Sequence, residues 1–225
     1  MVYRRTERTE QRLANRRNAI LRAVHDVVSE IGFRDLQMQT IAAAADVAIG
    51  TVYRYFPSKA DLCSELVASV SEREVNIARA VAAGEGDPVN RLWDLVCTFS
   101  RRAIRGRILA YAVIAEPVEA AVDRTRLKYR QELAGVISEL IDEGIRNRHL
   151  PEQDAEASAA CIAGAFMESL VGPLAPDSRI IEDEGRDLVE EIALFCLRGV
   201  GSNKELGTIT ELSAKRAQVR NGIQT

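Results

Sequence analysis

Apolar side chains recur at helical spacing along most of this chain, and the breaks between runs fall at glycine, proline and short polar clusters. The first run covers roughly residues 9–31, with Ile20, Ala23, Val24, Val27, Val28 and Ile31 on one face. That period predicts a helix with one buried side. Gly32 is its stop, and Phe33 folds back onto the core. Residues 39–45 and 49–56 are two short apolar-periodic runs joined by a turn at Asp46-Val47-Ala48. Pro57 interrupts, and Ser58 restarts a helix with an S-x-x-D capping box closed by Asp61. That fourth helix runs to about residue 83 and ends at Gly84-Glu85-Gly86.

The later pattern is also helical. Asp87 and Pro88 supply an N-cap and a first helical residue for a fifth helix over about 88–104, with Leu92, Trp93, Val96, Phe99 and Ala103 on its apolar arc. Residues 108–115, ILAYAVIA, are almost wholly apolar and are expected to be buried. Glu116 and Pro117 follow. Glu116 is expected to cap the next helix through its N-terminal dipole, with a pocket acid as the alternative. That helix, about 118–147, carries Leu127, Leu133, Val136, Ile137, Leu140, Ile141 and Ile145. An eighth helix over about 155–171 is rich in small residues, and Pro173 and Pro176 are expected to break it. The last helix, about 180–198, sets Ile181, Leu188, Ile192 and Phe195 at near-heptad spacing. The pattern therefore predicts an all-α fold of about nine helices, with a polar tail over 201–225.

Composition narrows the class. Of 225 residues, 28% are charged and 47% hydrophobic, the balance of an ordinary globular chain. The polar start, MVYRRTERTEQR, is not a secretory signal, and a cytoplasmic, non-membrane protein is expected. Cys63, Cys97, Cys161 and Cys196 are widely spaced in apolar contexts, so buried reduced thiols are expected. His25 and His149 are isolated, and neighbours such as His25 and Asp26 should point to different helix faces. No metal-ligand pair, phosphate loop or nucleophile motif is present, which argues against an enzyme and calls for no cofactor.

The net charge of −3 is unevenly spread. Residues 1–59 hold ten Lys and Arg against six Asp and Glu, while the remainder holds twenty against twenty-seven. A basic end on an acidic body is the footprint of a DNA reader. The two short runs sit in that basic end, and two short helices joined by a tight turn place the second in a major groove. Val52 and Phe56 are four apart and can anchor that helix. Ile49, Gly50, Thr51, Tyr53, Arg54 and Tyr55 make up the rest of it. A hydroxyl, two phenols and a guanidinium suit phosphate and base-edge contact. Lys59 adds a cation where a helix dipole would prefer an acid. A plain core cluster is the alternative reading, and it fits Phe56 best. The arm of about ten residues, with Arg4, Arg5 and Arg8, offers either a solvated tail or phosphate contact.

The run T-V-Y-R-Y-F-P-S-K-A-D-L resembles the signature of TetR-family transcriptional regulators, G-V-S-x-G-T-L-Y-x-Y-F-x-S-K-E-E-L. The resemblance covers about residues 12–70. Asp46 stands where that pattern has glycine, Gln37 where Thr or Ser commonly caps the second helix, and Ala48 where Ser is common. Gln39 matches a position that can reach a base, where glutamine could pair with adenine.

The resemblance implies a homodimeric repressor on a pseudo-palindromic duplex operator, released when a small-molecule effector shifts the fourth helix. It implies a three-helix DNA-binding domain at 1–59 and a larger ligand-binding and dimerisation domain at 60–200. Candidate effector residues are Trp93, Val96, Phe99, Tyr111, Ile114, Tyr129, Phe166 and Leu170, a set that favours a largely apolar ligand. Arg101, Arg102, Arg105 and Arg107 form either a solvated helix end or a seat for an acidic group such as the phosphates of an acyl-CoA. Close packing of the last two helices through Ala157, Cys161, Gly164, Leu188, Ile192 and Phe195 would build a dimer interface, with completion of one subunit's own core as the alternative. The alternatives are an activator, or a helical adaptor whose DNA head has lost its role.

Overall fold

The computed structural model describes residues 7–178 and 182–202, and the regular structure among them is entirely helical. Nine helices are described: α1 (Glu7–Ile31), α2 (Met38–Ala44), α3 (Ile49–Tyr55), α4 (Lys59–Ala82), α5 (Pro88–Arg105), α6 (Arg107–Ile114), α7 (Ala120–Arg146), α8 (Ala155–Leu174) and α9 (Glu182–Gly199). Arg4, Arg5, Ile181 and nearly all of the expected tail lie outside the described residues.

The chain divides into two compact units. The first holds the described part of Met1–Glu72 together with Gly106–Lys128. Its core takes Ile20, Val24 and Val28 from α1, Ile41 from α2, Val52 from α3, and Leu62, Leu66 and Val67 from α4, all at most 1% exposed. Phe33 and Phe56 fill the space between these helices. Ala112 and Val113 of α6 and Val122 of α7 join the same cluster. Each such apolar side chain removed from water stabilises the unit by roughly 1.5–3 kcal/mol if it is as large as valine or leucine.

Local chemistry sets the helix ends. Gly32 adopts φ +72°, a left-handed geometry that ends α1 after its N–H reaches the Val28 carbonyl at 3.0 Å. Asp46 has φ +50°, so the α2–α3 turn keeps the left-handed residue that an L-aspartate tolerates. At α4, the Asp61 N–H donates to Ser58 Oγ at 3.1 Å while the Ser58 hydroxyl donates to Asp61 Oδ2 at 2.8 Å. Asp87 Oδ1 accepts from both the Val89 and Asn90 N–H groups at 3.1 Å, capping α5 as expected.

The second unit, Arg73–Arg105 with Tyr129–Thr225 as far as described, is built around α5, which packs on α9 and α8. Three ion pairs hold its helices together. Arg102 grips Glu74 with Nε and Nη2, both at 2.7 Å. Arg79 lies 3.6 Å from Glu132. Arg91 is 8% exposed, donates to the Ala82 carbonyl at 2.7 Å, and pairs with Glu143.

Several expectations need correction. Residues 108–115 are not uniformly buried. Ala112 and Val113 are, but Ile108 is 36% exposed, because a two-turn helix turns only one face inward. Leu127 is 57% exposed and outside the core. α8 does not end before Pro173 but continues to Leu174, whose 1% exposure anchors the last turn. Cys161 is exposed, unlike the other three thiols. His25 Nδ1 does meet its neighbour Asp26, at 3.2 Å from Oδ1.

Candidate nucleic-acid interface

α3 is short and sits with one residue in the core. Val52 is fully buried, and Phe56, just past the helix, is 2% exposed. These two hold the helix by one edge. Four of its other six residues face outward. Tyr53 is 47% exposed, Ile49 37%, and Arg54 and Gly50 are also exposed. A Cβ built at Gly50 would meet nothing within 4 Å, so the backbone there can be approached closely. Thr51, Tyr55 and Lys59 are half-buried, and Tyr55 leans on the unit's core.

The starts of α2 and α3 carry no side-chain cap. Gln37 and Ala48 occupy the two N-cap positions in extended geometry, and neither side chain accepts a hydrogen bond there. Gln37 and Gln39 are both exposed. Uncapped N–H groups at a helix start, with the positive end of the dipole, are suited to an anion. The nine candidate contacts from Gln37 to Lys59 therefore belong to one unit, six of them well exposed.

Two further contacts fix this head, and both escaped the sequence pattern. Arg17 of α1 reaches Glu65 of α4 at 2.8 Å and lies 5.1 Å from the centre of the Phe56 ring. The carboxylate of Glu116 accepts from the Phe33 N–H at 2.7 Å and from the Arg34 N–H at 3.0 Å. Glu116 is 6% exposed and closes the end of α1, not the start of α7. The close approach depends on Gly32, where a Cβ would lie 2.9 Å from Glu116 Oε2. Behind it, Arg126 of α7 donates to the carbonyls of Ala112, Val113 and Glu116 at 2.7–2.9 Å. A cation on the last carbonyls of α6 satisfies orphan acceptors and matches the helix dipole. The one sequence sign of this clasp was a buried-looking acid beside a proline.

The candidate effector and dimer residues are divided. Trp93, Val96, Phe166 and Leu170 are buried in the second unit, and Phe99 and Tyr129 are half-buried there. Phe99 and Phe166 meet edge-to-face with ring centres 5.1 Å apart. Tyr111 and Ile114, by contrast, belong to the first unit. Of the dimer candidates, Ala157, Cys161, Gly164 and Phe195 are exposed, Phe195 at 66%. Leu188 is half-buried, and Ile192, at 6%, lies in the unit's own core. Of the arginine cluster, Arg102 is engaged by Glu74, while Arg101 and Arg105 are exposed. Burial pushes the Cys63, Cys97 and Cys196 thiols up to about 12.

The family model for bacterial regulatory proteins of the tetR family matches residues 20–66, the span from Ile20 of α1 to a third of the way along α4. A repressor from Mycobacterium tuberculosis, the HTH-type transcriptional repressor KstR, is 31% identical over 157 residues, covering 69% of this chain and 70% of that protein. The chain belongs to the TetR family of transcriptional regulators. The KstR repressor of Mycolicibacterium smegmatis is 39% identical over 99 residues, 44% of this chain and 48% of its own length. In fold, the chain resembles the regulator FadR from Bacillus subtilis in complex with stearoyl-CoA, with a TM-score of 0.68 at 17% identity over 81% of this chain and 98% of that one. In this TetR-family chain the helix-turn-helix is thus α2 and α3.

Proposed function

We propose that this regulator is a homodimeric repressor that binds a pseudo-palindromic duplex operator through α3. A largely apolar, acyl-CoA-like molecule would release it. The observation that carries the reading is the outward face of α3, with Tyr53, Arg54 and the open backbone at Gly50 held out by Val52 and Phe56. Base edges would be read from Gln39, Thr51 and Tyr53. Phosphates would be held by Gln37, Arg54, Tyr55 and Lys59 and by the uncapped start of α3, with Ile49 and Gly50 close to the backbone. The relatives named as repressors support repression over activation. Work on chromosomal DNA places such a protein in the cytoplasm.

The effector is assigned to the apolar interior of the second unit, around Trp93, Val96, Phe99, Tyr129, Phe166 and Leu170. Tyr111 and Ile114 are left as candidates of the other unit. An acyl chain suits those side chains, and the exposed Arg101 and Arg105 suit an anionic headgroup. The FadR structure with stearoyl-CoA supports that class. Its binding must favour the DNA-incompetent state, since only differential affinity shifts an equilibrium. α4 gives its first half to one unit and its last turns to the other, which suits it to carry the change. Dimerisation is assigned to the exposed small-residue face of α8, with Ala157, Cys161 and Gly164, and to Phe195 and Leu188 of α9, backed by Ile192.

Selection of bound sequences from a random duplex pool tests this. Enrichment of an inverted repeat, with half-sites spaced by a helical turn or a multiple of one, is expected. Release of that duplex by a long-chain acyl-CoA would follow. Recovery of no motif would refute the operator reading.

A further inference from the structure

Along α4 the chain passes from one compact unit to the other between Glu72 and Arg73, and Glu74 is the second residue beyond that point. Its carboxylate gives one oxygen to Arg102 Nε and the other to Arg102 Nη2, both at 2.7 Å. Two parallel charge-assisted bonds fix direction as well as distance. Arg102 stands in the last turn of α5, four residues before Gly106, where the chain returns to the first unit. Further along α4, Arg79 pairs with Glu132, and the Ala82 carbonyl accepts from Arg91. Of these three ties on the second half of α4, the one at Glu74 is nearest in sequence to the head.

It is also a tie that an anion can contest. The Arg102 and Glu74 side chains are 31% and 22% exposed, so solvent reaches both. Arg105 follows Arg102 by three residues and Arg101 by four, which sets the three guanidinium groups on one face of the helix end. Arg101 and Arg105 are exposed. Like charges at that spacing repel, and Glu74 neutralises one of the three. A phosphate arriving at Arg101 and Arg105 meets the Glu74 carboxylate as a like charge. It gains Arg102 as a further two-point contact once Glu74 withdraws. Such an anion binds the open arrangement more tightly than the closed one, which is the condition for shifting an equilibrium. We propose that Arg102 and Glu74 form a latch between α5 and α4, closed in the DNA-binding form and opened when the effector's anionic headgroup takes Arg102 from Glu74. This rests on the reading of the protein as an operator-binding regulator released by an acyl-CoA-like molecule. In that division the apolar chain supplies affinity and the headgroup supplies release.

The test uses the full chain, the duplex recovered by selection and stearoyl-CoA. Stearoyl-CoA affinity is measured with and without saturating duplex, and the ratio of the two values is the coupling between the sites. Wild type is expected to show a ratio of about fivefold or more. Glu74→Gln and Arg102→Gln should each cut that ratio by about threefold or more, as the loss of a partly exposed ion pair allows. The two differ in affinity for stearoyl-CoA without duplex. Glu74→Gln keeps all three arginines and should bind it at least as tightly as wild type, while Arg102→Gln loses a contact and should bind it less tightly. Arg105→Gln leaves the latch in place and should weaken binding while keeping the ratio. Helical content should match wild type in every variant. If Glu74→Gln, so folded, no longer holds the duplex even without stearoyl-CoA, the latch is open from the start and the inference stands. A wild-type ratio in Glu74→Gln overturns it and leaves Arg102 as an effector contact alone. A ratio that falls as far in Arg105→Gln also overturns it, because the effect then belongs to the charge of the helix end and not to the pair. A wild type that selects no duplex, or that stearoyl-CoA does not release, removes the functional reading and this inference with it.

Discussion

Seven residues make α3, and Val52 is the one among them that is buried. α5 has eighteen residues, of which eleven are buried. The first helix is held by its neighbours and leaves its side chains free; the second is the interior against which α8 and α9 pack. A helix that meets a partner must keep its surface uncommitted, so its stability has to come from elsewhere. The difference predicts two classes of substitution, one that alters folding and one that alters binding.

The largest effect on folding is expected at Trp93, which is 2% exposed. Trp93→Ala should cost about 3–5 kcal/mol in denaturant unfolding, through lost burial and the cavity left behind. A loss under about 1 kcal/mol would mean that α5 is not the organising interior. Glu116 comes next. Glu116→Ala strips an acceptor from two backbone N–H groups, and about 2–4 kcal/mol should be lost. Glu116→Gln, which keeps one acceptor oxygen, should lose roughly half as much, and losses equal to those of the alanine variant would show that a neutral acceptor cannot replace the carboxylate.

Tyr53 belongs to the other class. Tyr53→Ala should change unfolding by no more than about 0.5 kcal/mol, yet weaken operator binding at least tenfold, about 1.4 kcal/mol. Should stability fall along with affinity, the side chain would be part of the core. The smallest effect is chemical. At pH 8 an alkylating reagent should spare Cys63, Cys97 and Cys196 in the native protein, reach Cys161 only when the subunits are apart, and label all four thiols in denaturant. The three buried thiols also set a direction with pH. Their folded values are raised above the ordinary value of 9.0. Their neutral state therefore favours the fold below about pH 9, and that contribution is lost as pH climbs toward about 12.

How much could be read from the chain follows the range of each contact. The capping of α5 by Asp87, the left-handed Asp46 and the inward pair Val52 and Phe56 depend on residues within four positions. Such features are visible in any window of sequence. Glu116 was open to being read as a cap because acids beside helix starts usually are. Its partners lie 83 and 82 residues earlier, and no local rule points to them. Leu127 had the right period for α7 but is exposed, since period marks a face and not what covers it. Ile192 illustrates the same limit from the other side, its heptad spacing fitting a core or a seam equally well. The outward residues of α3 were legible as candidates because the two anchors beside them leave no other direction.

The clasp at Glu116 also bears on the order in which the molecule can be finished during synthesis. Ala112, Val113 and Val122 fill the same core as α1 to α4, so the head is not complete when its own helices have emerged. Translation at about 5–20 residues per second puts seconds between the appearance of Phe33 and that of Glu116. During that interval the helix-turn-helix exists with one wall missing and two amides unclaimed. The nascent regulator therefore reaches its finished reading surface late, after more than half of the chain has been made.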